Sequence, residues 1–127
     1  MRARRVLVVD PGPDMRRIFI TLLEHRGYFV AATDDPVTAL ELARAGVPDV
    51  IIGEHPLRLP DGSLLCERLL ADESVRDIPF IAVTAHADPG ELLDAHRTHP
   101  AGVAVKPVLP IEIAGMVHRL VGPSGGG

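Results

Sequence analysis

The sequence of 127 residues contains a single cysteine, Cys66, and no tryptophan. One thiol cannot form an internal disulfide or a zinc site built from several cysteines, so we expect the reducing environment of the cytoplasm. No stretch of the chain has the roughly 18 consecutive apolar residues that a membrane-spanning helix needs. The composition therefore excludes a disulfide-stabilised scaffold and an integral membrane protein.

Basic and aromatic residues are also scarce. Thirteen lysines and arginines stand against seventeen acids, which gives a formal net charge of −4, and aromatic residues make up 3%. The one basic cluster, Arg2, Arg4 and Arg5, lies at the extreme N-terminus. Such a chain lacks both the positive charge that binds phosphate backbones and the rings that stack on bases. Direct binding of nucleic acid is therefore not expected.

The residues that are abundant are those of a folded domain. Hydrophobic residues make up 46% of the chain and charged ones 24%, which is close to the average for globular proteins. The length fits one hydrophobic core and leaves no room for two. We expect a single domain over residues 1–122, followed by a flexible tail over 123–127 that contains three glycines.

Short apolar runs alternate with amphipathic stripes along the chain. The runs predict strands at 6–9, 28–32, 50–52, 80–83 and 102–105. The stripes and the proline and glycine signals predict helices at about 15–23, 36–46, 63–71, 88–97 and 113–120. This alternation predicts an α/β fold, in which a doubly wound parallel sheet of strand order 2-1-3-4-5 has helices on both faces.

Ligands of such sheets bind beyond the carboxyl ends of the strands, where the strand order reverses. The polar residues at the ends of the predicted strands are therefore the candidate site residues: Asp10, Glu54, Thr84 and Lys106. The predicted sheet brings these residues to one crevice, where partly buried charges need partners. We expect Lys106 within ion-pair distance of Glu54 or Asp10.

These residues lie in segments that resemble the receiver domain of bacterial response regulators. The segments are VLVVD at 6–10 with Pro13-Asp14, PDVII at 48–52, Asp61-Gly62, VTAHAD at 83–88, and Lys106-Pro107. The resemblance runs from Val6 to about Val121. It implies a flavodoxin-like three-layer sandwich, in which an aspartate takes a phosphoryl group from a histidine kinase and an acidic cluster binds Mg²⁺.

The resemblance fails at the residues that carry the chemistry. Asp10 fits the first acid after strand one, but Pro11 fills the place of the second acid and offers no side-chain oxygen. At the phosphoacceptor position stands Glu54, whose carboxylate is one methylene farther from the backbone than that of aspartate. Mg²⁺ needs closely placed oxygens, and phosphoryl transfer depends on positioning. We expect a weak or absent magnesium site at Asp10 and Glu54.

The other family positions are partly retained. Thr84 fits the hydroxyl that senses the phosphoryl group, and Lys106 with Pro107 fits the lysine-proline pair of the family. The aromatic switch residue that lies three places before the lysine is here Val103. The resemblance thus implies that Thr84 and Lys106 are the catalytic residues of this sequence. The aromatic ring that normally moves together with the threonine is absent.

The leading hypothesis is an atypical receiver domain that acts mainly as a protein-interaction module in a phosphorelay and is not an enzyme. Its expected partner is a histidine kinase, a phosphotransfer domain or an output domain, and the chain itself is a monomer or a homodimer. One alternative is a receiver that still catalyses its own phosphorylation and hydrolysis. The other is a flavin- or small-molecule-binding domain, which Pro11 and Pro13 disfavour because they remove backbone donors.

Several further side chains could carry chemistry. His55 and His86 flank the crevice and are expected to be histidines on its rim. His96 and His99 have a spacing compatible with a shared metal, but no further ligand is identifiable. Cys66 is expected to be an inert helix residue, since no base has a recognisable spacing to it.

Overall fold

A computed structural model describes residues 3–85 and 100–123 of the chain. The helix predicted at 88–97, the histidines His86, His96 and His99, and residues 124–127 of the predicted tail lie outside the described residues. The tail boundary therefore stays a prediction.

Strands and helices alternate along the described chain as the sequence predicts. The strands are β1 (Arg5–Val9), β2 (Phe29–Thr33), β3 (Val50–His55), β4 (Phe80–Thr84) and β5 (Gly102–Val105). The helices are α1 (Pro13–His25), α2 (Pro36–Gly46), α3 (Leu65–Ala71) and α4 (Pro110–Val121). Several boundaries differ from expectation. For example, β3 continues to His55 rather than ending at residue 52, and α4 begins at Pro110 rather than at about residue 113. No helix in the described ranges has the length and apolar character needed to cross a bilayer.

The strands form one parallel sheet of order β2-β1-β3-β4-β5. The predicted flavodoxin-like α/β fold is therefore confirmed. Neighbours of β1 in the sheet are β2 on one side and β3 on the other, so the strand order reverses beside β1. The crevice between the carboxyl ends of β1 and β3 is where this fold places ligands.

Both faces of the sheet are covered. Val6 and Val8 of β1 belong to one core cluster with residues of α1 and α4, whereas Leu7 and Val9 belong to a second cluster with residues of α2 and α3. Alternate residues of a strand point to opposite faces, so a strand that is covered twice is apolar throughout. This burial explains the continuous apolar run at the start of the chain.

Helix α2 begins where the sequence signals place it. The Asp35 carboxylate accepts hydrogen bonds from the Thr38 backbone N–H at 3.0 Å and from the Thr38 hydroxyl at 2.7 Å, and Pro36 occupies the first turn. The hydrogen bond from the Thr38 hydroxyl is the main reason why the pKa of Asp35 is lowered below its usual range. An N-cap of this kind stabilises a helix because it satisfies a backbone N–H that has no partner within the helix.

Gly53 in β3 lies directly under an aromatic ring. A Cβ atom on Gly53 would lie 2.5 Å from Cζ of Phe80, which begins the neighbouring strand β4. The ring therefore fills the space that a side chain would need. The close approach fixes the strand immediately before Glu54.

We predict that Gly53→Ala lowers the free energy of unfolding by about 1–3 kcal/mol, because the added methyl group overpacks the core against Phe80. Urea unfolding of the purified protein measures the change. The double variant Gly53→Ala with Phe80→Leu should recover part of the loss, since the smaller side chain vacates the space. A Gly53→Ala protein as stable as the original would contradict this account.

Candidate functional site

The carboxyl ends of four strands bring the predicted site residues to one edge of the sheet. Asp10 directly follows β1, Glu54 lies near the end of β3, Thr84 ends β4, and Lys106 directly follows β5. Glu54 is paired in register with Val83 of β4. The strand ends that the sequence singled out therefore lie side by side, in the order of the sheet.

Lys106 and Glu54 form the expected ion pair. The Lys106 ammonium donates to the Glu54 carboxylate, with a distance of 2.6 Å between Nζ and Oε1. Their side chains are 28% and 23% exposed, so both charges are partly withdrawn from water. Each charge is thus compensated by the other, as partly buried charges require.

Asp10 is buried and stabilises the loop that follows β1. Its Oδ1 accepts a hydrogen bond from the Gly12 backbone N–H at 2.7 Å, and its backbone carbonyl accepts from Nη1 of Arg16 at 2.7 Å. A Cβ atom at Gly12 would lie 3.2 Å from the same Oδ1. Asp10 therefore acts as a turn-forming acid, whatever further role its carboxylate has at the crevice.

Arg16 is a site neighbour that the sequence analysis missed. It lies in the first turns of α1, and its guanidinium reaches back to the end of β1. The sequence signal that could have identified Arg16 is its position shortly after the loop that follows β1. Arg16 brings a fixed positive charge to the carboxyl end of β1.

Thr84 is fully buried at the end of β4, and its backbone is connected to the residue that carries the ammonium. The Thr84 carbonyl accepts a hydrogen bond from the Lys106 backbone N–H at 2.7 Å. In the sheet Thr84 is paired with His55 on one side and Val105 on the other. Thr84 thus lies on the strand between Glu54 and Lys106.

The expectation that His55 lies on the rim of the crevice is wrong. His55 is a residue of β3 and is only 4% exposed, and its Nδ1 lies 3.8 Å from Sγ of Cys66 on α3. Cys66 is buried as well. The sequence analysis did not predict that these two residues are neighbours, because the strand and the helix that carry them meet only in the folded chain. Within residues 3–85 and 100–123, no three His, Cys, Asp or Glu side chains come together as a metal site would require.

A turn at Asp61 and Gly62 lies on the connection from β3 to α3. Oδ1 of Asp61 accepts from the Ser63 backbone N–H at 2.9 Å and from the Ser63 hydroxyl at 2.6 Å. The hydrogen bond from the Ser63 hydroxyl is the main reason why the pKa of Asp61 is lowered. Gly62 has a φ of 88°, a conformation that favours glycine.

Several proteins similar to this chain in sequence or fold are receiver domains or contain one. The chain matches the family described as "Response regulator receiver domain" over residues 6–118. It is 32% identical over 123 residues to chemotaxis protein CheY of Pseudomonas aeruginosa, covering 93% of this chain and 99% of that protein. It is also 32% identical over 116 residues to hybrid signal transduction histidine kinase D of Dictyostelium discoideum, covering 91% of this chain but only 7% of the kinase.

A crystal structure gives the same result. The receiver domain of a sensor histidine kinase from Pseudomonas aeruginosa, which has a magnesium ion coordinated in its active site cleft, is 25% identical to this chain. It superposes with a TM-score of 0.81 over 94% of this chain and 98% of that domain. This chain therefore belongs to the receiver domain family of response regulators, which are modules of two-component signalling.

The ion pair between Lys106 and Glu54 should contribute measurable stability. In a double-mutant cycle of Lys106→Met and Glu54→Gln, we predict a coupling free energy of about 1 kcal/mol, because both charges are partly desolvated. Urea unfolding of the single and double variants measures it. The exposed pair of Arg68 and Asp61, with side chains 42% and 61% exposed, is the matched control and should couple by less than about 0.5 kcal/mol. Equal coupling of the two pairs would contradict the prediction.

Proposed function

We propose that this receiver domain acts mainly as a protein-interaction module of a phosphorelay, with Glu54 in place of the phosphorylatable aspartate. The observation that carries the proposal is the 2.6 Å contact between Lys106 Nζ and Glu54 Oε1. The carboxylate carries its negative charge toward the lysine without any phosphoryl group. The site then holds permanently a charge arrangement like that of a phosphorylated receiver, and its output is not gated by ordinary aspartyl phosphorylation.

The geometry around Asp10 supports a second part of the proposal, a weak or absent magnesium site. A magnesium ion needs several oxygen atoms in near-octahedral arrangement. One Asp10 oxygen accepts from the Gly12 N–H, Pro11 has no side-chain oxygen, and one Glu54 oxygen is engaged by Lys106. These residues do not fit the ion, so we infer that the domain lacks efficient phosphoryl-transfer chemistry and is not an enzyme.

An exposed apolar surface between α1 and the start of α4 supports a protein partner. Ile18 on α1 is 43% exposed, and Leu109 and Ile111 at the start of α4 are 62% and 56% exposed. Together they border an open groove whose rim carries the basic residues Arg17 and His25. Contiguous exposed apolar side chains often mark interaction sites, whereas single scattered ones are normal on protein surfaces. We propose that a helix of a histidine kinase, phosphotransfer domain or output domain docks here.

The retained Thr84 and Lys106 favour one alternative, a receiver that still accepts phosphoryl groups. The Lys106 backbone N–H donates to the Thr84 carbonyl at 2.7 Å, so the two residues are neighbours at the ends of β4 and β5. Incubation with labelled acetyl phosphate and Mg²⁺ separates this alternative from the interaction module, since only the competent receiver becomes labelled. A phosphate-cradling small-molecule site is disfavoured, because the loop between Pro11 and Pro13 has only the Gly12 N–H and that group already donates to Asp10.

We predict that the protein does not bind Mg²⁺ saturably below about 1 mM, because its oxygen ligands are too few and already engaged. A chemical-shift titration with MgCl₂ that follows Asp10 and Glu54 tests this. The Pro11→Asp variant is the matched positive control, since it supplies a second carboxylate after β1 and should bind more tightly. Saturable binding of the original protein in the sub-millimolar range, with both residues perturbed, would refute the prediction.

Restoring the acceptor alone should not restore phosphorylation. We predict that Glu54→Asp stays unlabelled by acetyl phosphate, whereas Glu54→Asp combined with Pro11→Asp becomes labelled at least in part. The acceptor and the metal ligands act as one unit, because the ion must neutralise the incoming phosphoryl charge. Intact-mass spectrometry and radiolabel incorporation measure the outcome.

Two controls keep this experiment interpretable. Circular dichroism of each variant checks folding, since an aspartate at position 11 frees a backbone N–H and changes the loop. Adding Lys106→Ala to the double variant should abolish the label if transfer uses this crevice. If Glu54→Asp alone is labelled as well as the double variant, Pro11 is not what disables the site.

A further inference from the structure

We infer that the outer edge of β2 pairs with β2 of a second copy of this chain, forming a two-fold symmetric dimer. Strand β2 is an edge of the sheet. Its residues, Phe29–Thr33, include no charged residue and no proline. Natural proteins usually protect edge strands with such residues, because an unprotected edge pairs with other strands.

The hydrogen bonds at the two ends of β2 show which backbone groups face outward. The Phe29 N–H donates to the Arg4 carbonyl at 2.9 Å, and the Thr33 carbonyl accepts from the Asp10 N–H at 3.1 Å. Backbone groups of alternate residues point to the same side of a strand. The N–H and carbonyl groups of Val30 and Ala32 therefore point away from β1, toward the outer edge.

These outward groups fit an antiparallel copy of the same strand. With the two-fold axis at Ala31, Val30 of each copy lies opposite Ala32 of the other, and the two residues exchange N–H···O bonds. The two Ala31 residues then lie side by side, and their small side chains do not obstruct the approach. The pairing uses the same surface of both copies, as a two-fold interface requires.

Charges at the ends of β2 favour this antiparallel arrangement. The exposed Arg26 precedes the strand, and the exposed acids Asp34 and Asp35 follow it. Antiparallel pairing brings Arg26 of one copy toward the acids of the other, twice by symmetry, whereas a parallel copy would place like charges together. The edge is therefore complementary to itself, which identifies a second copy as its occupant.

Apolar groups beside the edge would be covered by the same contact. Phe29 is 63% exposed, and it is one of the few aromatic residues of this chain. It borders a groove of about 270 Å³ between β2 and α2 that is also lined by Ala31, Leu42 and Ala45. In the antiparallel register, Phe29 lies opposite Thr33 of the second copy, near Val37, which is 36% exposed. Burial of these groups adds a hydrophobic contribution to the backbone pairing.

Sedimentation velocity of the full chain over a concentration series tests the dimer. We expect a concentration-dependent shift from 13.6 kDa to twice that mass. Ala32→Pro removes an outward N–H that the monomer does not use in its sheet, and should raise the dimer dissociation constant at least tenfold. A protein that stays at 13.6 kDa throughout the series overturns the proposal, including the case in which only a different protein pairs with this edge.

A charge exchange tests the register even if Ala32→Pro does not fold. Arg26→Glu should weaken the dimer several-fold, more so at low salt, and the double variant Arg26→Glu with Asp34→Arg should restore it. Arg76→Glu is the matched control, because Arg76 is exposed on a different part of the surface and the change in charge is equal. Equal effects of Arg26→Glu and Arg76→Glu would overturn the proposed interface.

Disulfide trapping gives a positional readout. Ala31→Cys should form a disulfide-linked dimer under mild oxidation, since the two positions meet at the axis at a distance that a disulfide spans. Thr33→Cys should not, because its equivalents lie roughly 13 Å apart in this register. The original protein, whose Cys66 is buried, is the blank. Cross-linking at position 33 but not at position 31 would overturn the register.

Discussion

The ion pair between Lys106 and Glu54 connects two strands that are not neighbours. Lys106 follows β5 and Glu54 belongs to β3, and β4 lies between them. Neighbouring strands lie about 4.8 Å apart, so the backbones of β3 and β5 are roughly 10 Å apart. The two side chains bridge this distance over the end of β4, where Thr84 lies. Only long side chains can make this contact. A glutamate at position 54 therefore reaches the lysine directly, and these two opposite charges compensate each other within the chain.

The loop after β1 is held by the protein's own groups in the same way. Asp10 engages the Gly12 N–H through its side chain, and Arg16 engages the Asp10 carbonyl. Pro11 and Pro13 fix the backbone around Gly12 and lower the entropy lost on folding. The position of the loop is therefore set by hydrogen bonds and backbone restraints within the chain itself.

Most of the fold could be predicted because burial leaves a periodic record in the sequence. The run at Val6–Val9 is apolar at every position since both faces of β1 are covered, and Asp35 with Pro36 marks the start of α2. Strand ends also predicted the partners Lys106 and Glu54. The end of β3 could not be predicted, because Glu54 and His55 break the apolar pattern that identifies a strand. The burial of His55 against Cys66 could not be predicted either, because it depends on how α3 packs on the sheet.

The surfaces proposed for binding lie at separate parts of the molecule. The charged crevice lies at the carboxyl ends of β1, β3, β4 and β5, and the apolar groove at Ile18 and Leu109 lies between α1 and the start of α4. The strand edge proposed for self-association is β2, at the side of the sheet opposite to β5. Pairing through β2 thus leaves the Lys106–Glu54 pair at the end of the sheet uncovered. A dimer would present two crevices and two grooves, and its affinity for a partner with two docking helices would rise through effective concentration without any new contact.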